Sequence, residues 1–383
     1  MASALQDTKQ TVALCMIVKD ESDVILRAFS SVSSLVDVYY ICDTGSSDGT
    51  QEIILNYFKD NKLEGYVFER PWVNFGYNRT ECFKLAKGKA DYLMTLDADE
   101  VIAPLNDGRV AWEEDLPSLP YMEEDMAFIL TRYAGLDYQR ATFFKGTLSW
   151  EWVGVCHEYC RSDENKTSRY LPTMCNIPRG DGARSKRGNK YKRDALLFEA
   201  DLIEDPTNSR SWFYLAQSYA DAKDYDRALA AVNKGLEVTT WDEEKYMLLL
   251  RKGRYKIELG CSMEEVVSDL LIAYQCRPTR AEPLHDIQSY YRKKELYHIS
   301  LVYGERALGI PYPATDSLFI ERDVYDWKVK DDLSIAYYYT GEYEKALALG
   351  KELVESGTLP PPNHDRIQEN LLFFQQKGSE DLL

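Results

Sequence analysis

The chain has 383 residues, 45% of them hydrophobic and 28% charged, which is the composition of a folded protein with room for two ordinary domains. Its formal net charge of -17 argues against a nucleic-acid-binding protein, because phosphate neutralisation needs a basic face. Eight cysteines make no disulfide scaffold, no signal-peptide pattern opens the sequence, and no apolar run approaches the roughly 20 residues that span a bilayer, so we expect a cytoplasmic protein with reduced thiols.

The first half of the chain alternates short apolar runs with amphipathic segments. The runs predict strands at Val12–Val18, Val38–Cys42, Gly65–Phe68 and Tyr92–Leu96. The segments between them predict helices at Val24–Val36, Gln51–Phe58 and Gly76–Lys87. Strands that alternate with helices of this length indicate an α/β domain with a parallel, doubly wound sheet.

Two aspartates follow the last of these strands. Asp97 and Asp99 are one residue apart, and side chains of an extended chain alternate, so both point to the same side. Ligands of open α/β sheets bind outside the carboxyl ends of the strands. Paired carboxylates at that place suit a hard divalent cation, Mg or Mn, bound together with substrate phosphates. An acidic loop without a ligand is the alternative interpretation.

Three segments at strand ends, 15–21, 43–50 and 97–100, stand in the order and spacing of family 2 glycosyltransferases, and the chain resembles that family up to about residue 160. The resemblance implies the GT-A fold, a Rossmann-like, mostly parallel sheet with helices on both faces. It also implies a nucleotide-sugar donor, usually a uridine diphosphate sugar, lying across the strand ends with a divalent metal, Mn or Mg.

The resemblance also implies roles for individual residues. Asp43 matches the acidic residue that accepts a hydrogen bond from the base, although a turn aspartate is an alternative. Asp99 matches the direct metal ligand, and Asp97 faces the ribose or the waters of the metal. Arg79 lies where the family has an Arg-Asn pair in the opposite order, so it contacts either the diphosphate or an ordinary surface partner. The loop lining the base and ribose corresponds to Ile17, Val18, Lys19 and Glu21.

Acid–base chemistry is predicted at a His-Glu pair that follows a tryptophan-rich segment, 150–152. An inverting transfer needs a general base near the acceptor hydroxyl, and we assign that role to Glu158. Adjacent residues of a strand point to opposite sides, so His157 is assigned as a third metal ligand or a diphosphate contact. Glu151 and Asp137 are rival bases, and a purely structural histidine is the alternative for His157.

The segment 177–193 is rich in Lys, Arg and Gly and has no apolar period, which predicts a mobile loop. It resembles the flexible segment that folds over the diphosphate in many GT-A enzymes, and a solvated linker is the alternative. The candidate diphosphate contacts are Arg184, Lys186 and Arg187. Zinc binding by Cys156, Cys160 and Cys175 lacks a fourth ligand and paired Cys-x-x-Cys spacing, so we interpret these residues as buried thiols.

The second half of the chain has long amphipathic patterns without strand signals. Segment 211–219, followed by Tyr225 and Ala228, fits the tetratricopeptide pattern, with weaker copies beginning near Lys245, Ala281 and Asp331. Such repeats stack into a solenoid whose concave surface binds a peptide or protein acceptor, forms a homodimer or extends the acceptor cleft. The predicted domains are residues 1–176 (GT-A), 177–194 (basic loop) and 195–383 (helical repeats).

The sequence therefore predicts a metal-dependent, inverting glycosyltransferase that acts on an acceptor hydroxyl of a glycan, a protein or a small molecule. One alternative is a catalytically degenerate transferase that serves as a repeat-domain scaffold. Another is a sugar nucleotidyltransferase, which would share the sheet and the metal. That class typically has a glycine-rich and basic loop after the first strand, which segment 19–22 does not supply.

Overall fold

The computed structural model describes residues 9–186 and 188–380. It divides into two compact units. The first comprises the chain up to Ala134 together with Tyr138–Glu204, and the second comprises Gly135–Asp137 together with the chain from Asp205 onward. The first unit is a mixed α/β structure and the second is mainly helical, which confirms the predicted fold classes.

Strands β1 to β11 lie in the first unit, except that the first two residues of β8 belong to the second unit. Their order in the main sheet is β3-β2-β1-β4-β8-β7-β11-β5-β6, and β9 and β10 form a separate pair. Their bounds are β1 Val12–Val18, β2 Val38–Asp43, β3 Glu64–Glu69, β4 Tyr92–Thr95, β5 Glu100–Asn106, β6 Arg109–Val110, β7 Met126–Tyr133, β8 Leu136–Lys145, β9 Glu151–Val153, β10 Tyr159–Arg161 and β11 Ser168–Pro178.

Helices cover both faces of the sheet, as the alternation of buried residues along β1 requires. Leu14 and Met16 pack in a core with Ile25 and Phe29, whereas Ala13 and Cys15 pack in the opposite core. A strand buried on both faces reads as a continuous apolar run, as β1 does. The helices of this unit are α1 Ile25–Val32, α2 Thr50–Asp60, α3 Phe75–Ala86, α4 Ala183–Lys186 and α5 Lys190–Glu204.

The sheet is parallel where the strand-end segments occur and mixed elsewhere. β1 pairs in parallel with β2 and β4, and β2 pairs in parallel with β3. β4 pairs antiparallel with β8, and β11 pairs antiparallel with β5. The expectation of a mostly parallel sheet therefore applies to the half that carries the candidate site.

The predicted basic loop, 177–194, has more regular structure than expected, and the boundary after residue 194 differs from the observed division after Glu204. Strand β11 continues to Pro178, α4 follows, and α5 begins at Lys190. The helix α5 belongs to the first unit. Its buried side chains, Asp194, Ala195, Phe198 and Leu202, recur on one helical face. Its first turn consists of charged residues and Tyr191, which concealed the amphipathic period.

Consecutive helices of the second unit pack in pairs, α6 with α7, α8 with α9, α10 with α11 and α12 with α13. Three predicted repeat copies begin inside the first helix of a pair, and the copy near Ala281 begins at the N-cap residue of α10. The bounds are α6 Ser209–Asp221, α7 Tyr225–Val238, α8 Asp242–Glu258, α9 Met263–Cys276, α10 Glu282–Lys293, α11 Tyr297–Leu308, α12 Val329–Tyr339, α13 Tyr343–Glu355 and α14 Pro361–Glu380.

The segment between α11 and α12 also contains regular structure. It contains a short strand, β12, at Ile320–Glu321 and a π-helical turn at Val324–Lys328. β12 pairs antiparallel with Leu136 and Asp137, which is why these two residues group with the helical unit. Within the described parts of the chain, no helix is both long enough and apolar enough to cross a membrane.

Candidate functional site

The ends of three parallel strands bring the predicted residues to one edge of the sheet. In the sheet register, Val18 lies beside Asp43, and Cys15 lies beside Thr95. The segments that follow these strands therefore leave the sheet next to one another. This edge is the place where ligands of open α/β sheets bind.

Asp43 is fully buried, and its two carboxylate oxygens have different surroundings. Oδ1 accepts hydrogen bonds from the backbone N–H groups of Gly45, at 2.8 Å, and Ser46, at 2.7 Å. Oδ2 is buried and has no hydrogen-bond partner among the residues that the structure describes. A buried carboxylate oxygen without a donor is costly, so it is suited to accept an N–H group of a ligand. Oδ1 thus stabilises the turn, and Oδ2 is available to accept a hydrogen bond from a ligand.

The loop after β1 is fixed by the turn that precedes α2. The backbone N–H of Glu21 donates to Thr50 Oγ1 at 2.8 Å, and that of Ser22 donates to Asp48 Oδ2 at 3.0 Å. Burial alone would raise the pKa of Asp48, but hydrogen bonds from Thr50 and Ser22 lower it to about 2. Asp48 thus braces the loop as an ionised acceptor.

The other predicted lining residues of this loop differ in what they can offer a donor. Val18 is buried in the core with α1, so only its backbone is open to contact a ligand. Ile17 is half-buried against the opposite core, and Lys19 is exposed. Of the predicted lining residues, Lys19 and Glu21 are those whose side chains carry a charge to this edge.

Arg79 is buried, with 6% of its side chain exposed, so the interpretation of an ordinary surface pair is wrong. Its guanidinium forms ion pairs with both Asp97 and Glu158 and lies 3.3 Å from Thr95 Oγ1. The helix α3 delivers this guanidinium from one face of the sheet. Arg79 therefore connects the aspartate after β4 with the glutamate before β10.

A second arginine, Arg140 on β8, completes this network. Its guanidinium contacts Glu100 Oε1 at 2.5 Å and Asp97 Oδ2 at 3.4 Å. Burial would raise the pKa of Asp97, but the guanidiniums of Arg79 and Arg140 hold it well below its usual range. Asp97 is therefore ionised, and its charge is already balanced by protein groups.

Asp99 and Glu21 have no such compensation, because neither forms an ion pair with any described residue. Asp99 Oδ2 accepts from the backbone N–H of Gly182 at 3.4 Å, and Glu21 Oε2 accepts from that of Ala183 at 3.2 Å. Burial, together with repulsion from Asp97, raises the pKa of Asp99. Burial, followed by repulsion from Asp99 and Asp97, raises the pKa of Glu21 to about 7 despite the hydrogen bond from Ala183. A cation at this edge would stabilise the ionised forms of both Asp99 and Glu21.

The His-Glu pair is split between two environments. Glu158 has 8% of its side chain exposed and is held by Arg79 through Oε1. His157 is exposed, and its ligand atoms lie close to those of Cys156 and Asp194 rather than forming a set with Asp97 and Asp99. His157 has a φ of +52°, which kinks the chain between the two residues.

The rival bases lie elsewhere. Glu151 is largely exposed and pairs with Arg161 at 2.9 Å across the β9–β10 hairpin. Asp137 is fully buried in the second unit, where the hydroxyl of Tyr312 donates to it at 3.2 Å. Of the three acidic residues, Glu158 is the one that pairs with Arg79 at the strand-end edge.

The basic segment is attached to the same edge by several contacts. Arg27 makes two hydrogen bonds to Asp181, at 2.8 and 2.6 Å, and Lys186 Nζ lies 2.8 Å from Asp23 Oδ2. Arg184 forms an ion pair with Asp194. The remaining predicted contact, Arg187, lies outside the described residues.

Sequence reasoning missed Arg140, Glu100 and Asp194 as members of buried charge clusters. Arg140 lies in a strand whose other members are mostly apolar or aromatic, and an arginine at such a place needs a buried carboxylate partner. That signal was present in the sequence. Its partners follow β4 in the chain, more than thirty residues earlier, and only the strand order brings them together.

Comparison with known proteins identifies the family of the domain that carries this edge. The family model described as Glycosyl transferase family 2 matches residues 13–111, which include Glu21, Asp43, Arg79, Asp97 and Asp99. The first unit carries a family 2 glycosyltransferase domain. The family 2 match ends before the His-Glu pair and the basic segment.

The second unit consists of consecutive helix pairs, the arrangement that the tetratricopeptide pattern predicts. The chain is 33% identical over 122 residues to a TPR repeat-containing protein of Synechococcus elongatus, a match that covers 32% of this chain and 27% of that protein. The matched segment thus spans about a quarter of the length of this curated relative. Solved structures with similarity include MamA, at 16% identity and a TM-score of 0.37, covering 47% of this chain and 94% of MamA. Another is the C-terminal part of a TPR repeat-containing protein from Cytophaga hutchinsonii, at 19% identity and a TM-score of 0.41, covering 50% and 68% of the two chains.

Proposed function

We propose that this protein is a metal-dependent, inverting glycosyltransferase that uses a uridine diphosphate sugar. The family 2 domain implies a nucleotide-sugar donor and an acceptor; the metal, the nucleotide and the inversion belong to the proposal. One observation carries it: Glu21 and Asp99 are carboxylates without a cationic partner among the described residues, beside the ionised Asp97 at the carboxyl ends of parallel strands.

Asp43 is proposed to read the base of the donor. Its buried Oδ2 lacks a donor among the described residues, while Oδ1 is held by two backbone N–H groups. A uracil ring offers one N–H at its pairing edge, which satisfies this oxygen. An amide in place of the carboxylate could turn its N–H₂ group toward the ligand and would weaken that contact.

Asp97 and Asp99 are proposed to hold a divalent cation, Mn or Mg, with Asp99 as the direct ligand. The oxygen donors fit a hard cation, which needs one or two carboxylates when substrate phosphates and waters supply the rest. When bound, the cation supplies Lewis-acid stabilisation of the departing diphosphate. Arg79 and Arg140 orient Asp97 and keep it ionised. Lys186, exposed on α4, is proposed as a diphosphate contact from the basic segment.

Glu158 is proposed as the general base that takes the proton of the acceptor hydroxyl. Arg79 holds one of its oxygens, which fixes the orientation of the carboxylate beside Asp97. Attack from the face opposite the leaving diphosphate inverts the anomeric centre. The helical domain is proposed to contact a peptide or protein acceptor, or a second copy of this chain.

Replacement of Asp99 tests the metal assignment. In Asp99→Asn, we expect uridine diphosphate to lose its Mn²⁺-dependent stabilisation of the protein, because the uncompensated carboxylate is gone. Transfer and donor hydrolysis should fall by a factor on the order of 10³ or more. The measurements are a thermal shift with nucleotide and Mn²⁺, and release of uridine diphosphate from a panel of nucleotide sugars.

Glu52→Gln is the matched control, since it removes one exposed carboxylate from α2. This control should retain both the thermal shift and the activity. Full activity in Asp99→Asn would overturn the metal assignment. If the wild-type protein binds no nucleotide sugar with any divalent metal, the scaffold interpretation replaces the enzyme. Formation of a nucleotide sugar from a nucleoside triphosphate and a sugar phosphate would instead identify a nucleotidyltransferase.

The base assignment has its own prediction. Glu158→Gln should lower transfer to the acceptor by about 10²- to 10⁴-fold while donor binding is kept, because a general base acts only on the acceptor proton. Glu151→Gln, which removes the exposed partner of Arg161, is the control and should stay active. Steady-state kinetics and donor thermal shifts provide the two readouts. Equal losses of donor binding and transfer would show that Glu158 only supports Arg79.

A further inference from the structure

Cys156, His157 and Asp194 bring three different ligand types together. Their ligand atoms, one from each residue, all lie within 4.8 Å of one another, and no other such trio of His, Cys, Asp and Glu residues occurs in the described ranges 9–186 and 188–380. Cys156 and His157 lie between β9 and β10, and Asp194 lies on α5. We propose that these residues form a binding site for a borderline-soft divalent ion of the Zn²⁺ class.

The donor set determines the class of ion. A thiolate, an imidazole and a carboxylate are ligands that Zn²⁺ accepts, whereas Mg²⁺ and Mn²⁺ favour oxygen ligands. Three protein ligands leave a fourth tetrahedral position for a water or a ligand from solution. The site therefore differs in chemistry from the all-oxygen edge at Asp97 and Asp99. His157 is a metal ligand in this proposal, but in another set than the sequence predicted.

The three residues differ in burial, and His157 is the one that is exposed to solvent. Cys156 is 5% exposed and Asp194 is 2% exposed, whereas His157 is exposed to solvent. The ion reaches the buried thiol and carboxylate past the imidazole. The ring of Phe198 stacks on the imidazole with centroids 6.3 Å apart and an interplanar angle of 10°, which restricts its orientation. An oriented imidazole loses less freedom when it binds a metal.

The positively charged guanidinium of Arg184 already lies beside Cys156 and Asp194. Arg184 forms an ion pair with Asp194, and its guanidinium nitrogens lie 3.7 and 3.8 Å from Cys156 Sγ. Binding of the ion replaces this guanidinium as the counter-charge of Asp194, and Arg184 moves away. The Cys156 thiol gives its proton to solvent as the sulfur–metal bond forms. The divalent charge is then balanced by one thiolate and one carboxylate, and the neutral imidazole completes the set.

Cobalt titration of the full chain, freed of metal with a chelator, tests the site. Co²⁺ bound by a thiolate gives a near-ultraviolet charge-transfer band, which oxygen ligands such as Asp97 and Asp99 do not give. We expect the wild-type protein to show this band and Zn²⁺ to erase it. Cys156→Ser should lose the band, whereas Cys160→Ser, which changes a partly exposed thiol outside the trio, should keep it.

Measurements of Co²⁺ affinity distinguish whether His157 is a metal ligand or only a structural residue. His157→Gln should weaken Co²⁺ binding by more than the roughly 10- to 100-fold cost of changes outside the ligand set, and its exposed position leaves the fold intact. Arg184→Ala should tighten binding, because it removes the competing cation. The proposal is overturned if the wild-type protein shows no charge-transfer band at saturating Co²⁺. It is equally overturned if Cys156→Ser keeps the band or if His157→Gln binds Co²⁺ as tightly as the wild type.

Discussion

Individual charges at the strand-end edge make the stability of the first unit depend on pH. The pKa of Glu21 is raised to about 7 in the folded protein, from 4.5 in a free side chain. Ionisation of Glu21 therefore opposes folding, and stability falls as the pH rises from 4.5 to 7. In metal-free buffer, Glu21→Gln should be more stable than the wild type at pH 8 by about 1–3 kcal/mol, and this gain should disappear near pH 4.5.

The measurement is the free energy of unfolding in urea at pH 4.5, 6 and 8 with a chelator present. Glu52→Gln is again the control, since this carboxylate is exposed in the first turn of α2. Its stability relative to the wild type should not change with pH. A Glu21→Gln protein that follows the wild-type pH profile would show that this carboxylate carries no burial penalty.

At the scale of elements, the helical domain depends on close approach between neighbouring helices. Gly304 lies in α11, where a Cβ atom would be 2.5 Å from Gln288 Nε2 and 2.7 Å from Leu333 Cδ2. Gln288 is buried, and its amide donates to Val329 at 3.1 Å, so it cannot move aside freely. Gly304→Ala should destabilise the domain by about 1–3 kcal/mol through overpacking, although alanine favours helix formation.

Gly309, the C-cap residue of the same helix, supplies the comparison. A Cβ atom there would meet only backbone oxygens at 3.6 and 3.9 Å, and its φ of −76° suits any residue. Gly309→Ala should therefore be neutral within about 0.5 kcal/mol. Thermal unfolding monitored by far-ultraviolet circular dichroism would rank the two variants. Equal melting temperatures would mean that α11 has room beside α10 and α12.

At the scale of the whole molecule, the division between the two units falls after α5. That helix belongs to the first unit, its side chains Ala195, Phe198 and Leu202 are buried, and the ring of Phe198 stacks on that of His157. A fragment ending at residue 204 should therefore unfold cooperatively, whereas one ending at residue 194 should lose several kcal/mol, since each large side chain contributes about 1.5–3 kcal/mol on burial. Thermal unfolding and limited proteolysis of the two fragments would measure this difference.

A third fragment that ends at residue 204 but carries Phe198→Ala separates packing from length. It should fall between the other two in stability, because it keeps the helix and loses its largest buried side chain. If the fragment ending at residue 194 were as stable as the longer one, α5 would contribute no core, and the boundary inferred from the sequence would hold.

The sequence alone determined the local features of this protein. The alternating runs of the first half predicted β1, β2, β3 and β4, and the repeat pattern placed its copies at α6, α8, α10 and α12. The polar residues after the parallel strands predicted the site, since strand ends of such a sheet meet at one edge. These features depend on side-chain period and on motifs within one segment.

The tertiary structure alone decided which charges face one another. Arg140 meets Asp97 and Glu100 because β8 lies beside β4 in the sheet, and Asp194 meets Cys156 because α5 packs in the first unit. Buried charges pair with residues that are distant in the sequence. Removing a charge from water costs free energy, and only groups that the fold brings close to it compensate that cost. The side-chain periodicity of a single segment gives no information about this pairing.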